Sequence, residues 1–223
     1  MSMEKQVEVR CPECGKIGKA ALWSSLNTEI NPEKKAELMN GQLFEFRCPA
    51  CGAVSRLNYS MLYHDMKNGV MINYASCDKD FDTAMEITSD MAGKNGEAFN
   101  KMMESYIYRI VTSQNSLREK ALIFENELDD RIIEIIKCLY YEQLTNEFPN
   151  MEPDEILFSL GENGEKRLEF YQKGELLKIG LIEDGMYHEM LHAYHEKMGD
   201  LHADNNALVD VEWVAKFFGA INS

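Results

Sequence analysis

The chain has 223 residues, a net charge of −15 and 45% hydrophobic residues. This length suits one large domain or a small module beside a core domain, and the apolar content is too high for a disordered chain. No run of about 18 apolar residues occurs, so we expect no membrane-spanning helix. The N-terminal residues lack the apolar stretch of a secretion signal, and we therefore expect a cytoplasmic protein with reduced cysteines.

The charge is unevenly distributed along the chain. Residues 1–60 carry 8 Lys and Arg against 7 Asp and Glu, a net charge of +1, which leaves −16 for residues 61–223. Proteins gain affinity for DNA by releasing its counterions with Lys and Arg, so the acidic part argues against a nucleic-acid partner. An alternative contact with nucleic acid is confined to the N-terminal part, whose basic residues include Lys5, Arg10, Lys16, Lys19, Arg47 and Arg56.

The first predicted elements surround two pairs of cysteines. Val7 and Val9 alternate with charged residues before the first pair, as in a strand. A short helix is predicted at 33–39, with Asn31 as its N-cap. Strands are predicted on both sides of the second pair, and a further one at 69–74.

A polar stretch at 76–97, rich in Asp and Gly, is interpreted as a linker or surface excursion that contains a turn of helix at 83–91. The predicted domains are therefore a first module at 1–75 and an acidic domain at 98–223. The acidic domain begins with apolar residues at helical spacing, namely Phe99, Met102 and Met103.

Local patterns predict both helices and strands in the acidic domain. Residues 107–112 fit either a strand or a helix, and another helix starts near Ser116. Asp129 and Asp130 stand where acidic residues favour the start of a helix. That helix carries an apolar stripe made of Ile132, Ile133, Ile136, Leu139, Tyr140 and Leu144.

Three short apolar segments at 156–160, 167–171 and 176–182 follow this helix. Turn residues separate them, so we predict a small antiparallel meander. Two further helices are predicted, at 186–198 and 211–218.

The pattern CPxCG occurs twice, at 11–15 and at 48–52. Two residues between paired cysteines let both sulfur atoms reach one ion across a tight turn, and the following glycine permits the positive φ that this turn needs. Two such turns supply four thiolates, the ligand set of a tetrahedral zinc site. The predicted metal ligands are Cys11, Cys14, Cys48 and Cys51.

Because all four predicted ligands are cysteines, no coordination position is left for water, and we predict one structural Zn²⁺. Iron is the alternative metal, since an electron-carrying centre of the rubredoxin kind uses two similar turns. Such centres pack aromatic residues around the ion, whereas Val9, Arg10, Lys16 and Ile17 flank the first turn here. The predicted fold is α+β: an N-terminal zinc ribbon with a helical insertion, followed by an acidic α+β domain with a small antiparallel meander.

Several motifs together resemble the CpXC-domain proteins. They are the paired CPxCG turns, Asn31-Pro32, Gly41, Leu62-Tyr63-His64-Asp65, Leu117-Arg118-Glu119-Lys120, Asp129-Asp130-Arg131 and Ile135. The resemblance covers most of the first 145 residues. It implies a zinc-binding domain whose biochemical role is unassigned, and so it supplies no activity.

Residues 188–192 read HEMLH, which matches the HExxH motif of zinc hydrolases. In such an enzyme His188 and His192 bind zinc, Glu189 is the general base, and Glu212 or His195 is the next ligand to consider. This zinc-dependent hydrolase is the alternative function. We favour the interpretation that these residues lie on the solvated flank of an amphipathic helix. The preferred role is a binding or adaptor protein with a protein partner.

Three further residues that can carry chemistry have plainer interpretations. His64 and Asp65 are predicted to close a turn rather than to orient a ligand. Cys138 lies near the apolar stripe, where a free cysteine acts as a small hydrophobic residue.

Overall fold

The computed structural model describes residues 2–91, 106–202 and 206–221. These residues form six α-helices and ten β-strands, which confirms the predicted α+β class. The strands make one five-stranded, one three-stranded and one two-stranded sheet. Contacts divide the chain into two compact units, Met1–Arg118 and Glu119–Ser223, which we call the first and second units. Within the described ranges, no helix combines the length and the apolar character needed to cross a membrane.

The first unit begins with two antiparallel hairpins. Strand β1 (Met3–Arg10) pairs with β2 (Ile17–Asn27), and strand β3 (Glu45–Arg47) pairs with β4 (Val54–Arg56). Helix α1 (Pro32–Met39) lies between the hairpins in the chain, where the sequence predicts a helical insertion.

Helix α1 has the predicted proline at its first turn. Asn31 occupies the N-cap position, but its side-chain amide donates to the Glu33 carboxylate at 3.2 Å and makes no capping hydrogen bond. Gly41 follows the helix with φ of 83°, a left-handed conformation that ends it.

The main sheet of the first unit combines distant parts of the chain. Strand β5 (Met61–Asp65) is parallel to β2 and antiparallel to β6 (Val70–Tyr74), and β7 (Ile107–Val111) is parallel to β6. The strand order is β1-β2-β5-β6-β7. The sequence of residues 107–112 fits either a strand or a helix. This segment forms a strand because β6 supplies its backbone hydrogen-bonding partners.

The predicted linker at 76–97 contains an ordered element. Helix α2 (Asp78–Met91) is longer than the turn of helix that the sequence suggests at 83–91, and Ala84 anchors it with 1% exposure. The first compact unit ends at residue 118 and the second begins at residue 119. The domain bounds 1–75, 76–97 and 98–223 concern segments that fold independently, and they stay a prediction. The helical spacing of Phe99, Met102 and Met103 lies outside the described residues.

The second unit contains the predicted meander. Helix α3 (Gln114–Glu125) includes the boundary between the units, and α4 (Asp130–Glu147) follows it. Strands β8 (Glu155–Leu160), β9 (Lys166–Gln172) and β10 (Glu175–Leu181) then form an antiparallel sheet in the order β10-β9-β8.

The core of the second unit lies between α4 and this sheet. Helices α5 (Asp184–Met198) and α6 (Val211–Ile221) both contact α4. The inward stripe of α4 is fully buried, and it meets apolar residues of the meander. The most buried members of this core are Ile132, Ile133, Ile136, Leu168 and Phe170.

Leu139 departs from the predicted stripe. The sequence places it in the core, yet 39% of it is exposed. Leu139 instead lines a groove on the surface of the second unit.

A network of five charged side chains is buried next to the core of the second unit. The Lys120 ammonium donates to Asp130 at 2.9 Å and to Glu134 at 3.2 Å. The Lys137 ammonium lies 2.5 Å from Glu119 and 3.1 Å from Glu134. Burial raises the pKa of Glu119, while the pKa of Lys137 is raised because its two carboxylate partners outweigh the opposing effect of burial. The sequence indicates only that Asp130 stands at the start of a helix, because ion pairing between remote segments leaves no local pattern.

Candidate metal centre

Each cysteine pair lies at the tip of one hairpin, and the two tips have the same hydrogen bonds. The N–H of the first cysteine donates to the carbonyl five residues later, at 2.9 Å in the first turn and 2.8 Å in the second. The glycine N–H donates back to the carbonyl of that cysteine, at 3.0 Å and 2.9 Å. Gly15 and Gly52 have φ of 70° and 77°, which confirms the positive φ predicted for both turns.

The four cysteine sulfur atoms of the two turns lie within 4.8 Å of one another. The Sγ atoms of Cys11 and Cys51 are 3.6 Å apart, and those of Cys14 and Cys48 are 3.7 Å apart. A tetrahedral ion with metal–sulfur bonds of about 2.3 Å separates its ligands by about 3.8 Å. A disulfide would instead require about 2.05 Å. The donor set therefore fits one tetrahedral metal ion.

Packing holds the two hairpin tips together on one side of the sulfur atoms. Cys11 and Cys48 are 1% and 2% exposed and pack with Ala20 and Phe46, whereas Cys14 and Cys51 are exposed. The first cysteine of each pair is thus fixed by the protein interior, and the second faces outwards.

Gly18 allows the close approach of the hairpins. A Cβ atom at this position would lie 2.8 Å from the Phe46 ring and 2.9 Å from Pro49. Such distances are below van der Waals contact, so a side chain here would push the hairpins apart. No local sequence pattern indicates this role, because the contact joins residues that are remote in the chain.

The electrostatics of the sulfur atoms favour a bound cation. The backbone N–H of Ala50 is the main reason that the pKa of Cys48 falls to about 6, against the effect of burial. The N–H of Ala53 lowers the pKa of Cys51, but the neighbouring thiols of Cys14, Cys48 and Cys11, together with burial, raise that pKa to about 12. Four adjacent thiols cannot all be deprotonated without a counterion, because the thiolate charges repel one another. A divalent cation between them offsets this repulsion.

The residues of the HExxH motif lie on α5 and are not assembled into a comparable group. His188, Glu189 and His192 are exposed, as is His195. The Glu212 carboxylate is 79% exposed and lies 3.9 Å from the ammonium of Lys216. Over the described parts of the chain, only the four cysteines bring together three or more side chains able to bind one metal ion.

His64 and Asp65 lie at the end of β5. The Asp65 carboxylate accepts hydrogen bonds from the backbone and side-chain N–H groups of Asn68, at 3.2 Å and 3.0 Å, so it closes the β5–β6 turn as the sequence predicts. Burial lowers the pKa of His64, whose Nε2 lies 3.1 Å from the Tyr106 hydroxyl.

Comparison with known proteins identifies a family. The family model for the CpXC protein matches residues 9–137, more than half of the chain, and the match includes both cysteine turns. No curated protein and no solved structure matches the chain. The function of the family is unassigned. On the extent of this match, the chain belongs to the CpXC protein family.

Proposed function

We propose that this chain is a cytoplasmic binding or adaptor protein whose N-terminal cysteine hairpins form a zinc ribbon around one structural Zn²⁺. The observation that carries the proposal is the gathering of four sulfur atoms, two from each hairpin tip, at the separations of a tetrahedral site. Four protein ligands fill the coordination sphere of zinc, so neither water nor substrate reaches the ion. The ion then stabilises the fold and performs no reaction.

Zinc is favoured over iron by the surroundings of the sulfur atoms. The small core that contains Cys11 and Cys48 includes one aromatic residue, Phe46, among its described members; the others are aliphatic. Zinc has a filled d shell, so it is colourless and does not change oxidation state.

Metal analysis tests this assignment directly. Protein purified aerobically from iron-rich medium should be colourless and should contain one zinc per chain by elemental analysis and native mass spectrometry. A red preparation with one iron per chain would overturn the assignment to zinc.

A protein partner is favoured over nucleic acid by the arrangement of charges. Two basic residues of the hairpins face acidic neighbours across the strands, with Lys19 opposite Glu8 and Arg56 opposite Glu45. Such pairs weaken any continuous basic surface. The second unit has 9 Lys and Arg against 23 Asp and Glu, a net charge of −14.

Titration with DNA and RNA tests the class of partner. At physiological ionic strength we expect no complex with a dissociation constant below about 1 μM. A tight complex whose affinity falls steeply with added salt would show nucleic-acid binding and contradict the proposal.

Cytoplasmic location is supported by the state of the cysteines. None of the six cysteines of the chain forms a disulfide bond, as expected in a reducing compartment. Cell fractionation should therefore recover the protein with cytoplasmic markers, and recovery from an oxidising compartment would contradict this part of the proposal.

A further inference from the structure

A groove crosses the second unit between α4 and α6. It encloses about 850 Å³, within the range of sites that bind ligands, and residues 153–156 form its third side. Its walls are mainly apolar and aromatic, formed by Ile135, Leu139, Tyr141, Ile156, Val211 and Phe218.

Three large apolar side chains of the groove are accessible to solvent. Leu139 is 39% exposed, Tyr141 is 40% exposed and Val211 is 65% exposed. Scattered apolar residues are normal on a protein surface, but a concave group of them marks a site of interaction. Leu139 is exposed, rather than buried in the core, because it lines this groove.

The groove runs along two helices for about two turns of each. Its lining positions on α4 are 134, 135, 137–139, 141 and 142, and those on α6 are 211, 214, 215 and 218. The α6 positions follow the i, i+3, i+4, i+7 spacing of one helix face over a length of about 10 Å, and the wider α4 face contains the same spacing at 135, 138, 139 and 142. Two packed helices with such faces leave a trough that a third helix fills.

The charges around the groove select the occupant. The carboxylates of Glu142, Asp154 and Glu155 lie among its lining residues. The ammonium of Lys137 also reaches it, but that charge is already paired with Glu119 and Glu134. With the net charge of −14 on the second unit, the groove attracts a basic ligand and disfavours a second copy of this acidic chain.

We propose that this groove docks an amphipathic α-helix of a basic partner protein, with the apolar face of that helix against Leu139 and Val211 and its Lys or Arg residues beside the carboxylates. The inference rests on the proposed binding role and specifies the chemistry of the partner. Burial of the exposed apolar surface supplies affinity, and the acidic rim supplies selectivity.

Two synthetic peptides of about 14 residues test the proposal on the full-length, metal-loaded protein. Both carry the same leucine face, and their polar faces consist of lysine in one and glutamate in the other. We expect 1:1 binding of the lysine peptide, at least about 10-fold tighter than the glutamate peptide. Equal affinity for both peptides, or no binding of the lysine peptide, would overturn the proposal.

A pair of variants with matched exposure locates the site. Val211→Lys places a positive charge in the groove, whereas Leu181→Lys makes the same kind of change on β10, at a residue 60% exposed that does not line the groove. We expect Val211→Lys to weaken lysine-peptide binding by about 10-fold or more and Leu181→Lys to change it by less than about twofold. Equal losses in both variants would reject the groove as the site.

Backbone amide NMR shifts provide a second readout that does not depend on mutation. Addition of the lysine peptide should move signals from residues 135–142 and 211–218. Shifts confined to other residues, or displacement of the peptide by a small apolar molecule that copurifies with the protein, would contradict the proposal.

The same experiments separate this inference from the proposed function. A partner protein whose crosslinks fall within residues 1–118 would reject the groove and leave the binding role intact. Zinc content measured on Val211→Lys should stay at one ion per chain, so a loss of peptide binding cannot be assigned to loss of the metal.

Discussion

The cysteine hairpins of the first unit and the helical core of the second unit are stabilised by different interactions. The core cluster around the hairpin tips contains four buried residues, and two of them, Cys11 and Cys48, belong to the candidate metal centre. The second unit buries eleven residues in one apolar cluster, with a network of buried ion pairs beside it. Hairpin tips with so small a core depend on the ligand between them, whereas the second unit is stabilised by a large apolar core.

The two tryptophans of the chain report on this difference separately. Trp23 is in β2 of the first unit, and Trp213 is in α6 of the second. Replacing one of them with phenylalanine leaves fluorescence from a single unit. Each reporter therefore follows the unfolding of one unit.

The largest effect is expected from removal of one metal ligand. Cys48→Ser should abolish metal binding and destabilise the first unit, because ligand binding supplies about 10–16 kcal/mol in structural zinc sites of small peptides. Elemental analysis should show the metal lost, and the Trp23 unfolding transition should move to a lower denaturant concentration while that of Trp213 is unchanged.

The matched control is Cys77→Ser, a change at an exposed cysteine outside the sulfur cluster. It should retain the metal and both transitions. If a chelator removed the metal from the parent protein without changing the Trp23 transition, the hairpins would be shown to fold unaided.

The next largest effect is expected in the buried ion-pair network. Lys137→Met leaves the Glu119 carboxylate buried without its closest cation, a change that typically costs about 3–5 kcal/mol. Urea unfolding followed by Trp213 measures it. Lys216→Met, at a side chain that is 79% exposed, should change the free energy of unfolding by less than about 0.5 kcal/mol.

The buried Lys137 ion pairs should also make the free energy of unfolding depend on pH. The pKa of Lys137 is higher in the folded protein than its ordinary value of 10.5, so unfolding releases a proton above that pH. Its contribution is complete below pH 10.5 and declines as the pH rises further. A parent protein whose stability increases between about pH 9 and 11 would contradict the assignment.

A smaller effect is expected where the hairpins approach each other. Gly18→Ala should cost about 1–3 kcal/mol, since its Cβ would overlap Phe46 and Pro49. Gly219→Ala is the counterpart in α6 of the second unit, where no atom lies within 4 Å, and it should stabilise that helix by up to about 1 kcal/mol. Thermal unfolding of the two variants should therefore shift in opposite directions.

The smallest effect is expected in the HExxH motif. Glu189 is exposed on α5, so Glu189→Gln should alter the free energy of unfolding by less than about 0.5 kcal/mol. The double variant His188→Ala, His192→Ala should keep one zinc ion per chain, because the cysteines hold it.

A fall from two zinc ions to one in that double variant would establish a second metal site. The hydrolase would then become the leading function, with Glu212 or His195 as the next ligand to test. Glu189→Gln would in that case be expected to reduce activity by about 10²–10⁴-fold.

Features that depend on short segments can be predicted from the amino-acid sequence. The two CPxCG turns specify their own hydrogen bonds and positive φ angles, because proline and glycine restrict or free the backbone locally. The meander and α4 follow from apolar periodicity between turn residues. The grouping of four cysteines also follows from the repeated motif, since two identical turns are suited to one shared ion.

Tertiary structure alone decided the features that join distant segments. Residues 107–111 are a strand because β6 offers a parallel partner, and Gly18 is required because Phe46 approaches it. Leu139 is exposed although its spacing places it on the apolar stripe, since α6 and β8 leave a groove at that point. Lys120 and Lys137 are buried because carboxylates from α3 and α4 surround them. The spacing of apolar residues in the sequence indicates which residues share a helix face. Whether those residues are buried or paired with other charges depends on the segments that pack against that face.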